Sequence, residues 1–219
     1  MAVQKFNVYF EKLSAETLEQ WSKIPPAIAT DCMNRTNSMS GDMQPISLGM
    51  KICGQARTVT TMVGDNGASH AAIGMLEPGE IMVIDARGHK ETAVWGGIMT
   101  RAAMKQGIGG LIVDGAVRDA DEIREFGFPT FALATCPAGP SKGFGGIIDG
   151  VISCARCPVK PGDIVIGDDD GITVIPLERQ AQILKACIEK IAQEEATNAD
   201  IKKGVLPGTR FGLEIEEIS

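Results

Sequence analysis

Short apolar runs, set between turns rich in Gly and Pro, alternate along this chain with longer amphipathic stretches. Apolar runs of about four to eight residues bounded by turn residues predict strands. One falls at 50–63, where Ile52, Ala56, Val59 and Val63 interleave with Thr; Gly54 inside it marks a bulge or a break. Others fall at 81–85, 111–113, 130–134, about 147–153, 163–166 and 171–175. Helices are predicted from an N-cap at Ser14 to about Ser22, over 27–36, and from Ala68 to Leu76. A further one follows the pair Gly96-Gly97 and stops at Gly107, since Gly readily adopts the left-handed turn that ends helices. Another runs from Asp119 to Phe126, and the longest starts at Pro176 and passes through Ile183, Cys187 and Ile191. Residues 87–91 and 136–146 read as loops, 1–12 as a loose arm or a strand, and 203–219 as a partly extended tail. This mixture fits an α/β or α+β layered domain spanning 1–219.

The stretch KPGDIVIGD at 160–168 echoes EPGEIMVID at 77–85. That reads either as an internal duplication or as two uses of one Pro-Gly-acid turn before a strand.

Composition narrows the classes. With 44% hydrophobic and 22% charged residues, the chain is an ordinary globular sequence. A net charge of −7 argues against a nucleic-acid partner, which calls for a basic face. No segment approaches the ~18 consecutive apolar residues of a membrane helix, and the N-terminus lacks a signal-peptide apolar core. A cytoplasmic location is expected. Cys154 and Cys157 have CxxC spacing, but no second pair accompanies them, and His70 and His89 lie far off in sequence. Reduced thiols are the better reading.

The sharpest chemistry lies in Asp114-Gly115-Ala116-Val117-Arg118-Asp119, where a strand gives way to a helix. Arg118 offers a planar fork of donors suited to a carboxylate. Asp119 offers hard oxygen ligands suited to Mg²⁺ or Mn²⁺. Together they suit a 2-oxo acid. The alternative is a surface ion pair with Asp119 capping the next helix.

Gly97, twenty residues, Arg118-Asp119, two residues and Glu122 form a spacing that resembles the signature of the RraA-like family. Gly64-Asp65-Asn66 with His70, Pro78-Gly79-Glu80 and Pro161-Gly162-Asp163 agree with it, so the resemblance spans about residues 25 to 204. The family includes class II pyruvate aldolases acting on 4-hydroxy-4-methyl-2-oxoglutarate and 4-carboxy-4-hydroxy-2-oxoadipate, and a non-catalytic regulator of ribonuclease E.

The resemblance implies a β/β/α sandwich of the swivelling-domain type, assembled as a homotrimer or homohexamer with sites between subunits. It implies a metal-dependent lyase that releases pyruvate from 4-hydroxy-2-oxo acids through an enolate, with oxaloacetate decarboxylation through the same species. Asp119 would hold Mg²⁺ or Mn²⁺, and Glu194 of a neighbouring subunit would support the metal's waters. Arg118 would grip the substrate carboxylate beside Gly97 and the amides of Ile98 and Met99. Asn66 and His70 would line the pocket. The alternative is a regulator that binds a protein partner. A methyltransferase reading fails for want of a Gly-rich nucleotide loop after the first strand.

One position departs from the aldolase pattern. The aldolases commonly carry an acidic residue where this chain has Gly97. Asp85, Glu91 and Asp114 are the expected substitutes, unless the substrate or reaction has diverged.

Overall fold

The computed structural model describes residues 2–218. Strand β1 (Val3–Lys5) leads through an extended arm to helices α1 (Ala15–Ser22) and α2 (Pro26–Cys32). Ser14 caps α1, its hydroxyl accepting the Thr17 amide at 3.1 Å. Strands β2 (Gln44–Pro45) and β3 (Ile52–Thr61) precede α3 (Gly67–Ile73). An alternating series follows: β4 (Ile81–Trp95), α4 (Gly97–Gln106), β5 (Gly110–Val117), α5 (Ala120–Phe126) and β6 (Thr130–Thr135). Next come β7 (Gly146–Ile148), β8 (Ile152–Cys154), β9 (Cys157–Val159), β10 (Ile164–Asp168) and β11 (Gly171–Ile175). A 3₁₀ turn, Leu177–Arg179, runs into α6 (Gln180–Lys202), and α7 (Pro207–Arg210) lies in the tail.

Among the described residues, nine strands form one sheet in the order β1-β7-β3-β4-β5-β6-β2, with β10 and β11 branching from β3. Strands β3 to β6 are mutually parallel, as crossover helices require. Strand β3 serves two layers. Its Ile52–Gln55 half pairs with β10, and Ala56–Thr60 pairs with β4.

Both faces of the parallel strands are covered, which is why they read as continuous apolar runs. Alternate residues still go to different cores. Met82 and Ile84 of β4, with Leu111 and Val113 of β5, pack under α3, α4 and α5. Ile81, Val83 and Ile112 face the opposite way, against Val165, Val174 and Cys154 of the second strand layer. A third core, with Trp21, Ile164, Ile175 and Ile183, joins β10 and β11 to α1, α2 and α6. This is a mixed α/β fold of stacked sheet and helix layers. Among the described residues no helix is long and apolar enough to cross a membrane.

Several expectations are corrected. Residues 87–91 are not a loop: β4 continues through them to Trp95. Arg87 and Gly88 take positive φ (62° and 67°), and the pairing with β5 resumes in shifted register at His89↔Gly115 and Ala93↔Ala116. That bulge re-aims the strand and so passes as a polar loop in sequence. Gly54 breaks nothing; β3 runs straight through it. It is small because a Cβ there would sit 2.6 Å from the Gly79 carbonyl and 2.8 Å from Ile81 Cγ1. The CxxC pair forms the ends of the β8–β9 hairpin, with Cys154 opposite Cys157. Both thiols are buried, and burial pushes that of Cys154 up and that of Cys157 to about 12, so neither is reactive. The longest helix starts after Pro176 only by way of the 3₁₀ turn.

The repeated Pro-Gly-acid stretch has a local cause. Glu80 Oε2 accepts the Glu77 amide at 2.7 Å, and Asp163 Oδ2 accepts the Lys160 amide at 2.8 Å. In each case a carboxylate closes the turn that launches a strand beside β3.

The Glu80 carboxylate also belongs to a buried ion cluster. Arg57 donates two hydrogen bonds of 2.8 Å to Asp149 and one of 3.0 Å to Glu80. Asp149 has φ 61°, a conformation that Asn tolerates. Asp149→Asn therefore isolates the charge, leaving Arg57 short of a buried counter-ion. It should cost about 3 kcal/mol in urea unfolding; a change under about 0.5 kcal/mol would mean that water reaches the cluster.

Candidate active site

The site is built where three connections converge on the start of α4. The β4–α4 junction at Gly96-Gly97 supplies the helix N-terminus. The β5–α5 junction supplies Arg118 and Asp119, and the loop after β6 supplies Gly139 and Pro140. The Arg118 amide donates to the Trp95 carbonyl at 2.9 Å, tying the first two junctions together. Trp95 Nε1 donates to Thr100 Oγ1 at 2.8 Å, and that hydroxyl donates to the Gly96 carbonyl at 3.1 Å. The first turn of α4 is thereby fixed.

Asp119 does not cap its own helix. It stands at the N-cap position of α5 with φ 56° and ψ 39°, and its side chain makes no capping bond there. Its Oδ2 instead accepts the Gly97 amide at 3.0 Å, across to α4. Left-handed backbone at a non-Gly residue costs energy that surrounding contacts must offset. Arg118 Nε lies 3.7 Å from Asp119 Oδ2, with both side chains about two-fifths exposed (41% and 43%). Such a pair adds little stability, so the strained conformation is better explained by the direction in which it turns the carboxylate.

Three glycines leave the space that these side chains occupy. A Cβ on Gly96 would sit 2.7 Å from Asp119 Oδ2 and 3.0 Å from Arg118 Cγ. A Cβ on Gly139 would sit 2.7 Å from Arg118 Nη1. At Gly97 a Cβ would overlap Glu122 Oε2 outright, with Glu122 Cδ at 2.7 Å. The carboxylate of Glu122 thus occupies the space that a side chain at 97 would fill. Glu122, and not Asp85, Glu91 or Asp114, brings an acid to this position. Its other oxygen, Oε1, accepts from Arg101 Nη2. Sequence reading used Glu122 only as part of a spacing. The available signal was that Asp119 and Glu122 stand three apart and so share one face of a helix start.

A pocket of about 260 Å³ opens at this point. Arg118, Asp119, Ile98 and Met99 line one part of it, and Asn66, His70 and Lys142 another. The Ile98 and Met99 amides belong to the first turn of α4, where no intrahelical acceptor exists. Asn66 Nδ2 donates to the Val94 carbonyl at 3.1 Å, while its Oδ1 is buried without a partner. Partial burial lowers the proton affinity of His70, and Lys142 adds to the effect. Glu194 does not line the pocket; it is half-exposed on α6, 4.0 Å from Lys190.

A larger cleft of about 480 Å³ beside Trp21, Lys23 and Cys53 holds no comparable chemistry. Burial pushes its one thiol, Cys53, up to about 11.

The donor set fits a small divalent cation held mainly through water. Asp119 and Glu122 supply only hard oxygens beside the Gly96-Gly97 turn, as Mg²⁺ or Mn²⁺ prefers. Among the described residues no three His, Cys, Asp or Glu side chains gather into a closed cage. A cation there would keep several waters, a habit typical of Mg²⁺.

These features define an α/β layered protein with an open helix N-terminus beside a carboxylate pair. Residues 26–174 match the family model described as RraA-like, Aldolase/RraA, so the chain belongs to the RraA-like family. A relative from Halalkalibacterium halodurans, provisionally named 4-hydroxy-4-methyl-2-oxoglutarate aldolase, is 34% identical over 86% of this chain and 90% of its own. The 4-hydroxy-4-methyl-2-oxoglutarate aldolase of Thermus thermophilus is 31% identical over 58% of this chain and 76% of its own. The structure of Streptomyces coelicolor RraAS2, described as an unusual member of the RNase ES inhibitor RraA protein family, superimposes with a TM-score of 0.79. It is 27% identical and covers 86% of this chain and 100% of its own.

The steric argument gives a testable coupling. Gly97→Ala should expel the Glu122 carboxylate and lower the melting temperature. Gly97→Ala with Glu122→Ala should recover at least half of that loss, because the clash is removed. Strictly additive losses in thermal melts would show that the two positions do not compete for space.

Proposed function

We propose that this protein is a lyase that cleaves 4-hydroxy-2-oxo acids between C3 and C4 and releases pyruvate, with a divalent cation at Asp119. The observation that carries this reading is the convergence of Arg118, Asp119 and the free amides of α4 on one pocket, with the Glu122 carboxylate in the space beside Gly97. The names of the aldolase relatives support it.

Arg118 binds the C1 carboxylate bidentately, a geometry that Lys cannot reproduce. The Ile98 and Met99 amides hold the same end of the substrate at the positive end of the helix dipole. When bound, a Mg²⁺ or Mn²⁺ ion supplies Lewis-acid polarisation of the C2 keto oxygen. Loss of the C4 hydroxyl proton turns that hydroxyl into a carbonyl as the C3–C4 bond breaks. The bonding pair moves toward C2 and leaves the enolate of pyruvate, and a proton delivered to C3 completes the product. Arg118 faces the charge that builds up, so its contact strengthens along the reaction. Decarboxylation of oxaloacetate passes through the same enolate.

Assembly as a homotrimer or homohexamer is part of the proposal, with Glu194 reaching the pocket of a neighbouring copy. The apolar tail supports it, since Leu206, Phe211, Leu213 and Ile215 all stand exposed in a single chain.

The alternative is a regulator without catalysis, favoured by the likeness to the Streptomyces inhibitor-family protein. A pyruvate-release screen over several 4-hydroxy-2-oxo acids and oxaloacetate, with and without Mg²⁺ or Mn²⁺, separates the two, with light scattering reporting the assembly. Metal-dependent turnover by an oligomer is expected. Asp119→Asn should abolish it, and Arg118→Lys should lower it roughly 10²-fold while metal binding survives. No turnover on any substrate, or undiminished turnover by Asp119→Asn, would overturn the lyase reading.

A further inference from the structure

The chain carries six cysteines, and the lyase reading uses none of them. Cys154 and Cys157 are buried together in the β8–β9 hairpin, with no accessible member to meet a reagent. Cys53 and Cys136 direct their thiols at backbone carbonyls, those of Leu18 at 3.5 Å and Glu91 at 3.2 Å. The remaining two meet each other. Cys32 is the last residue of α2, and Cys187 lies on the inner face of α6 with Ile183 and Leu184. Across the contact between these helices the two thiols share a hydrogen bond, which together with burial pushes Cys187 up to about 12. Lys190 and Asp31, 3.4 Å apart, tie the same two helices next to the thiols. Access separates the pair: Cys187 is wholly buried, whereas Cys32 is half-buried. An accessible thiol backed by a buried one is the arrangement of an oxidant-sensing cysteine and its resolving partner. Its place in the fold is also particular. Cys187 is the last buried residue of α6, and the rest of the helix, through Lys202, is half-buried or exposed.

We infer that Cys32 and Cys187 are a modification site, at which hydrogen peroxide joins the two sulfurs in a reversible disulfide that staples α6 to α2. The Cys32 sulfur attacks one peroxide oxygen. An S–O bond forms, the O–O bond breaks, and the departing hydroxide takes the Cys32 proton and leaves as water. The Cys187 sulfur then attacks the sulfenic sulfur of Cys32. The S–S bond forms, the S–O bond breaks, and the second hydroxide leaves as water with the Cys187 proton. Two thiols are oxidised and one peroxide is reduced, and a thiol reductant reverses the bond by exchange. The buried, firmly protonated Cys187 takes no part in the first step, so Cys32 is the entry point. A reducing compartment keeps the pair open until peroxide rises. The bond forms where α6 leaves the body of the protein, so it fixes the direction in which the exposed half of that helix projects. The inference stands apart from the lyase reading.

The test treats the reduced, purified protein with a small excess of hydrogen peroxide. Remaining thiols are then alkylated in denaturant, and the peptides are mapped by mass spectrometry without reduction. The map should show the Cys32 and Cys187 peptides joined within one chain, with the other four of the six cysteines alkylated. The melting temperature should rise by about 5 °C, because the bond closes most of the chain into one loop, and dithiothreitol should reverse both changes. Cys187→Ser should leave Cys32 as a sulfenic acid that dimedone traps, with no gain in melting temperature. Cys32→Ser should leave Cys187 unmodified at the same dose. Cys32 and Cys187 both recovered as alkylated thiols, a bond between Cys154 and Cys157 in their place, or a Cys32–Cys187 bond that leaves the melting temperature unchanged would overturn the inference.

Discussion

Everything at the candidate site depends on how closely the β5–α5 junction approaches the first turn of α4. A side chain at 96 would press on Asp119 and Arg118, while one at 97 would displace only the end of the Glu122 side chain, so Gly96 keeps the approach close and Gly97 leaves room for the Glu122 carboxylate. The contact is held by two bonds across the gap, Arg118 amide to Trp95 carbonyl and Gly97 amide to Asp119 Oδ2. It carries a conformational cost in the left-handed Asp119. It also gathers chemical groups: a helix N-terminus, a guanidinium and the Asp119 carboxylate line one small pocket, with the Glu122 carboxylate beside Gly97. A parallel sheet with crossover helices favours this arrangement, because strand ends and helix starts gather along one edge.

The charged groups of the protein divide into two kinds. The Arg57–Asp149–Glu80 cluster is buried and fully paired, and it holds β3 against the strand layers. Arg118, Asp119 and Lys142 are solvent-accessible and weakly paired or unpaired, so their charge stays available to a ligand. Asp65 links the two kinds. It is buried as a structural ion, yet the loop it secures through the Gly143 and Phe144 amides ends at the pocket.

Much of the fold was legible in the sequence because the strands are buried on both faces and read as apolar runs. Ser14, Gly107 and Pro176 marked boundaries through local chemistry that tertiary packing left unchanged or shifted by one turn. The second half of β4 was hidden, since a bulge at Arg87-Gly88 replaces hydrophobic alternation with polar residues that still pair with β5. At the site, Arg118 and Asp119 stood out by residue type and spacing. Glu122 did not, because only coordinates reveal that its carboxylate fills the space beside Gly97. Lys142 was hidden for a similar reason: its place depends on a long-range clamp from Asp65, 77 residues earlier in the chain, and no periodicity or local motif encodes such a contact.

The account stands on a metal-assisted 2-oxo acid site at Asp119. The most direct test is a titration of the purified protein with Mn²⁺, followed by electron paramagnetic resonance, with and without oxalate. Oxalate mimics the planar enolate of pyruvate, so it reports on the Arg118–Asp119 end. The account predicts one saturable Mn²⁺ site per chain, tightened by oxalate, with a spectrum that changes when oxalate is added. Failure of Mn²⁺ to bind, or binding that ignores oxalate, would contradict it.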